Sequence, residues 1–251
     1  MPGGQTALYL ACQMGYLEAV RVLATHGANC TKLCTSGYTP LLIAVEKDQG
    51  GVVRYLVGEC NVPYDARPVT IDGNSLGGTV RSAGAGAGVG AGEGGDEDDE
   101  FEALVNGLGA ELRAPPPQPV LWDAILQSSV KCVEALLGVG ADPNSARPVD
   151  GATPLHMLFG DTVDGNLRKA MADCLLRHGA DPSATMHSGH TPAFLAAQFG
   201  DGEVLTMLIQ HGGDVTTRAH SSDYGPLDIA AEQNHTNIIK LLCTLCGVPV
   251  S

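Results

Sequence analysis

Gly151-Ala152-Thr153-Pro154-Leu155-His156-Met157-Leu158 is the stretch on which the reading of this chain turns. It has close copies in Gly37-Tyr38-Thr39-Pro40-Leu41-Leu42-Ile43-Ala44 and Gly189-His190-Thr191-Pro192-Ala193-Phe194-Leu195-Ala196. Weaker copies stand at Gln5-Thr6-Ala7-Leu8, Pro119-Val120-Leu121-Trp122 and Gly225-Pro226-Leu227-Asp228. With the Thr slot as origin, units begin at 6, 39, 119, 153, 191 and 225, at spacings of 33, 80, 34, 38 and 34. A second marker closes each unit: Gly27-Ala28, Gly140-Ala141, Gly179-Ala180 and Gly212-Gly213, with Cys60-Asn61 and Cys246-Gly247 as variants. The Thr slot lies 22 residues before the marker's second residue in five units (6 to 28, 39 to 61, 119 to 141, 191 to 213, 225 to 247). In the unit of Thr153 the distance is 27, which places five extra residues within 160–166. Self-similarity at such a period marks a repeat architecture.

The end signals give the shape of one unit. Thr39, Thr153 and Thr191 are N-cap residues whose hydroxyl accepts a free backbone N–H, and Pro40, Pro154 and Pro192 take the first helical position. Ala11, Ala44, Ala124, Ala196 and Ala230 recur five residues after the slot, small enough for neighbouring helices to approach closely. Gly15, Gly200 and Asn234 end the first helix in left-handed backbone. A second helix follows, as in Val130 to Leu137 and Val204 to Ile209, and stops at the Gly marker. Each unit is two short antiparallel helices and a turn-rich connector. Such a pair cannot bury its apolar side alone, so the units must stack.

This pattern resembles the ankyrin repeat, with its period of about 33 and its Thr-Pro-Leu-His start. Thr153-Pro154-Leu155-His156 with Leu175-Leu176-Arg177-His178-Gly179-Ala180-Asp181 is close to the full signature. The resemblance implies an all-α fold, a curved ankyrin-type α-solenoid of helix-turn-helix units with β-hairpin-like fingers between them. It also implies that His156 is structural, bonding the Thr hydroxyl and the backbone of adjacent turns.

Residues 1–65 hold the first two units and 115–251 the last four. Over 66–114 the period slips. Asp72-Gly73-Asn74-Ser75-Leu76 reads as a degraded unit start, and Phe101 to Glu111 as its second helix and marker. Ala83 to Gly95 is almost all Gly and Ala, and Asp96 to Glu100 is an unbroken acidic run. A disordered insert over about 83–100 is the expectation.

Composition narrows the function. Hydrophobic residues make up 44 % but aromatics only 4 %, so the core is built from small aliphatics. Acids outnumber bases 28 to 14, a formal charge of −14 that speaks against nucleic acid and anionic membrane surfaces as partners. No signal peptide or spanning segment is visible, which leads to an expected cytoplasmic location, with the nucleus as alternative.

No arrangement of catalytic residues stands out, and no enzyme activity, cofactor or metal is expected. The Gly-rich stretch lacks the Gly-Lys-Ser/Thr ending of a phosphate loop. Cys243 and Cys246 have CxxC spacing, but Cys243 falls in a buried helix slot, as does Cys132. Cys30 and Cys34 fall in a finger, where exposure is expected. His187 and His190 share another finger without a third metal ligand fixed nearby.

By the same resemblance, function sits on a concave face of finger tips and first helices. The variable slots carried onto this chain include Met14, Tyr38, Glu46, Lys47, His187, His190, Gln198, Phe199, Tyr224, Glu232 and Gln233. Phe199, Tyr38, Tyr224 and Met14 are residue types enriched in interface hot spots. The leading function is a non-catalytic scaffold or adaptor that binds another protein. The alternative is the substrate-recognition part of a ubiquitin ligase, or of a larger enzyme, whose effector domain is absent from this sequence. The final helix, Ile238 to Cys246, has only Lys240 and Thr244 as polar residues, so self-association through an uncapped C-terminal repeat is also expected.

Replacing 83–100 with a short polar linker is expected to leave the melting temperature within a few degrees, because loop length costs little entropy. A calorimetric scan that shows a large drop overturns this reading of the insert.

Overall fold

Three of the recurrent threonines cap helices as their chemistry requires. Thr6, Thr39 and Thr191 have extended backbone, and each hydroxyl accepts the N–H three residues on, from Tyr9, Leu42 and Phe194 at 3.1 Å. Thr153 and His156 form a capping box instead. The protein is seen in a computed structural model that describes residues 4–64, 119–220 and 223–246, with Cys246 described in its backbone only. These residues fall within one compact unit.

The helices come in pairs. They are α1 (Ala7–Met14) and α2 (Leu17–Thr25), α3 (Pro40–Glu46) and α4 (Gly50–Gly58), α5 (Val120–Leu126) and α6 (Val130–Gly138). There follow α7 (Pro154–Met157) and α8 (Gly165–Arg177), α9 (Pro192–Gln198) and α10 (Gly202–Gln210), α11 (Pro226–Glu232) and α12 (Thr236–Cys246). First helices pack on first helices and second helices on second helices, each pair against the next. The recurrent alanines Ala11, Ala44, Ala124, Ala196 and Ala230 are all buried, and Leu158 takes the same slot in the fourth pair. Trp122, the single tryptophan, is buried with its indole N–H donating to Ser145 Oγ at 3.3 Å. The described residues contain no strand. The fingers are closed by pairs of hydrogen bonds, as from Cys34 N–H to Tyr38 O and Gly37 N–H to Cys34 O, and from Met186 N–H to His190 O and Gly189 N–H to Met186 O. Two further bonds tie finger to finger: His187 N–H to Asp150 O at 2.8 Å and His220 N–H to Ser188 O at 3.0 Å.

Second helices end in one recurrent turn. Gly27, Gly140, Gly179 and Gly212 are left-handed, and the N–H of the next residue returns to a carbonyl in the helix, as from Ala180 to Leu175 O. His26, His178 and His211 stand just before three of these glycines, and each Nδ1 lies 2.8–2.9 Å from the carbonyl four residues back. The second pair corrects the register read from the sequence. Its left-handed residue is Asn61, φ 50°, and the returning N–H is that of Val62, to Leu56 O. Cys60 therefore does not occupy the glycine slot, and the unit is one residue longer before its turn than the constant offset implied.

The unit with five extra residues departs differently. Four of the five lengthen α8, which runs thirteen residues where α2, α4, α6 and α10 run nine. The added turn is Gly165–Arg168, capped by the Asp164 carboxylate, which accepts Asn166 N–H.

The degenerate unit expected over 66–114, and the insert within it, lie outside the described residues. The helix pairs on either side touch directly: α3 packs on α5 and α4 on α6. Tyr64 O accepts Val120 N–H at 2.8 Å, between a second helix and the next first helix. That is where a finger stands in every other described junction.

Gly50 shows how close the two pairs come. A Cβ there would meet Lys131 O at 2.8 Å, whereas one on Gly51 would meet nothing within 4 Å. Gly51→Ala is expected to be neutral or to stabilise by up to about 1 kcal/mol, as alanine does in a helix. Gly50→Ala is expected to destabilise by roughly 1–3 kcal/mol through overpacking. Urea titrations of both variants check this; equal behaviour would show that the seam is not tight.

Candidate functional site

The first helices and finger tips carry the variable slots. Met14 and Phe199 follow directly from the first helices, at the last residue of α1 and the C-cap of α9, and are 58 % and 46 % exposed. Tyr224, in the last finger, is 42 % exposed. Lys47, Glu232, Gln233 and His187 are exposed as well, while Gln198 is half-buried. Glu46 is half-buried, with Lys47 Nζ at 2.8 Å from its Oε1. Tyr38 and Glu46 line a cleft of about 20 Å³ with Leu42, Val45, Asp123 and Gln127, room for about one water molecule. Small-molecule sites need some 300 Å³ or more.

His190 is less free than its slot implies. Its ring stacks on Phe194 at 4.4 Å and Nδ1 lies 2.9 Å from Ser188 Oγ. Cys34, expected to be exposed, is buried with its thiol 3.0 Å from Ser36 Oγ, because the finger folds back on Tyr9 and α1. Cys30 is half-buried. Cys132 and Cys243 are buried, and burial pushes the thiols of Cys12 and Cys132 up to about 12. No group of three or more His, Cys, Asp or Glu among the described residues is placed to hold a metal ion. Among them, too, no helix is long and apolar enough to cross a membrane.

Two neighbours of Phe199 stand outside the variable slots. Phe159 is buried, its ring centroid 5.8 Å from that of Phe199. The Arg168 guanidinium lies over both rings, at 5.1 Å from Phe159 and 5.6 Å from Phe199. Its Nε donates to Leu158 O at 2.8 Å, and it pairs with Asp201 at 3.2 Å. The irregular length of the unit was the only trace of Arg168 in the repeat pattern.

The face is assembled on hydrogen bonds between units, with His156 at one of them. Thr153 N–H donates to His156 Nδ1 at 3.1 Å, so Nδ1 is an acceptor and the proton sits on Nε2. Nε2–H then donates to His190 O at 3.1 Å, linking α7 to the next finger. This neutral imidazole is what burial favours.

These features settle the family. Ankyrin repeat models match residues 2–67, 121–216 and 163–250. The chain belongs to the ankyrin repeat family. The bovine cyclin-dependent kinase 4 inhibitor B is 31 % identical over 130 residues, 51 % of this chain and 92 % of that protein. The mouse ankyrin repeat and SOCS box protein 16 is 28 % identical over 199 residues, 78 % of this chain and 41 % of that protein. Alpha-latrocrustotoxin-Lt1a of Latrodectus tredecimguttatus is 32 % identical over 111 residues, 44 % of this chain. The chain spans only 7 % of that toxin and 33 % of a fowlpox virus ankyrin repeat protein that it also matches. Ankyrin repeats are protein-interaction modules.

Burial lowers the pKa of His156 below its ordinary 6.5, against the bonds to His190 O and Ala184 and the charge of Asp150, which favour the proton. His190 is lowered as well, also by burial. The unfolded chain therefore binds protons that the folded chain refuses, and stability present above pH 6.5 is lost as pH falls below it. Asp150 and Asp214 do not interfere, since hydrogen bonds from Arg147 and from Thr217 and Thr216 hold their carboxyls below 3.8. Urea midpoints are expected to fall between pH 7.5 and 5.5, and His156→Gln to reduce that fall. An unchanged slope in the variant would remove His156 as its source.

Proposed function

We propose that this chain is a non-catalytic binding module that engages a partner protein on the face of finger tips and first helices. The observation that carries the reading is Phe199. A large aromatic ring stands half in solvent on the inner-helix side, backed by a buried ring and a guanidinium rather than covered by them. Exposed rings on firm support are the side chains that dominate binding energy at interfaces. Met14, in the equivalent slot of the first unit, and Tyr224, in the last finger, present further exposed apolar surface. The scaffold or adaptor role and the cytoplasmic or nuclear location belong to this proposal, as does the exclusion of nucleic acid, which rests on the acidic composition. Leu227 and Leu245, exposed on the last pair, support contact there with a further repeat or a second copy.

A second reading is favoured by one comparison. Similarity to the ankyrin repeat and SOCS box protein covers 78 % of this chain. It supports a substrate-recognition part of a ubiquitin ligase, or of a larger enzyme, whose effector part lies outside this sequence.

The test is affinity capture with the full chain, wild type against two variants. Phe199→Ala is expected to weaken capture by more than tenfold, as loss of a hot spot of about 2 kcal/mol does. Its stability should drop by no more than roughly 1.5 kcal/mol, the worth of an aromatic contact. Leu155→Ala, at a buried position, should cost about 2–5 kcal/mol of stability while the folded fraction still binds. Equal capture by wild type and Phe199→Ala would remove this face from the function.

A further inference from the structure

The added turn of α8 has a purpose that the repeat pattern does not explain. In the nine-residue second helices, the residue eleven after the Thr slot opens the helix, as Gly50, Val130 and Gly202 do. In the fourth pair, the helix opens four residues before the equivalent position, and Arg168 is the last residue of that extra turn. A unit of standard length has no residue at this place. The side chain of Arg168 points into the seam between two repeats, 12 % exposed, and its partner Asp201 is 18 % exposed.

Every group around it belongs to the seam. Leu158 and Phe159 follow α7, while Phe199 and Asp201 follow α9. Asp201 also caps α10, its Oδ1 accepting Val204 N–H at 3.1 Å while Oδ2 faces Arg168. One guanidinium thus holds a main-chain carbonyl, a helix cap and two aromatic rings. A planar cation with five donors in fixed directions can do this, and an ammonium cannot lie flat on a ring while reaching two acceptors.

We infer that Arg168 is a positioning residue for the binding face, and that the insertion exists to deliver it: it holds the ring of Phe199 in one orientation before any partner arrives. This rests on the proposed role of Phe199 as an anchor. It adds that the anchor is pre-organised, which removes the ordering cost that a free ring would bring to binding. The occupant it fits is an apolar side chain of a partner protein, because the exposed part of the site is ring surface and the charge beneath is already paired.

The test reads the ring without any partner. The chain has four phenylalanines, so uniform 4-fluorophenylalanine labelling gives a resolvable fluorine spectrum, assigned by Phe→Leu substitution. In Arg168→Gln, the Phe199 and Phe159 resonances are expected to shift, and the Phe199 solvent isotope shift in heavy water to rise toward that of the free amino acid. Exchange of the Val204 amide should accelerate in the same variant. Arg168→Lys keeps the charge beside Asp201 and is expected to restore Val204 protection but not the Phe199 resonance. An unchanged Phe199 resonance and isotope shift in folded Arg168→Gln, or full restoration by lysine, overturns the inference. With a captured partner, Arg168→Gln should weaken binding, and the double variant with Phe199→Ala should bind no more weakly than Phe199→Ala alone; additive losses also overturn it. A Phe199→Ala variant that binds normally while the fluorine shifts appear as expected refutes the anchor and leaves the positioning intact.

Discussion

Burial between neighbouring helix pairs is the constraint from which the rest of this structure follows. A helix of seven to nine residues is too short to be stable in water by itself. Two of them back to back still leave one side of each open. The side chains that close the core, such as Leu121, Ile125, Leu136 and Leu205, do so only because another pair lies against them. Stability is therefore shared along the stack, and an interruption of the sequence is tolerated only if it does not interrupt the contact. Between α4 and α5 the contact is kept: the N–H of Val120 donates to Tyr64 O, and Gly50 closes on Lys131.

The same constraint shapes the surface that is left over. Hydrogen bonds from finger to finger and from His156 to His190 O tie variable positions to the buried stack. Side chains such as His190 are held by a ring contact and a hydroxyl rather than left free. A face made this way varies its residues without changing its backbone, which suits recognition of another protein more than chemistry on a small molecule. The cleft beside Tyr38, with room for one water, agrees with that use.

Much of this was legible in the sequence because capping and turn chemistry is local. A threonine hydroxyl three residues before a free N–H, or a glycine after the last helical turn, needs no distant partner, and the structure has Thr6, Thr39 and Thr191 in that role. Legibility failed where local chemistry has two solutions. Asn61 adopts left-handed backbone as glycine does, so the turn of the second pair shifted by one residue past Cys60. Cys34 looked exposed because fingers generally are, and only its contacts with Ser36 and Tyr9 bury it.

The sequence by itself determined the unit, its helix starts and the buried alanines, because each depends on residues within a few positions of one another. Only the tertiary structure decided which units are neighbours, since contact between the second and third pairs depends on a close approach of Gly50 and Lys131 across a long stretch of chain. It also decided what stands beside Phe199. Arg168 lies in an irregular turn, outside any slot the repeat defines. Its reach to Phe159, Phe199, Leu158 O and Asp201 exists only when two pairs are stacked. A periodic pattern reports what every unit shares, and this contact is made by a residue that other units lack.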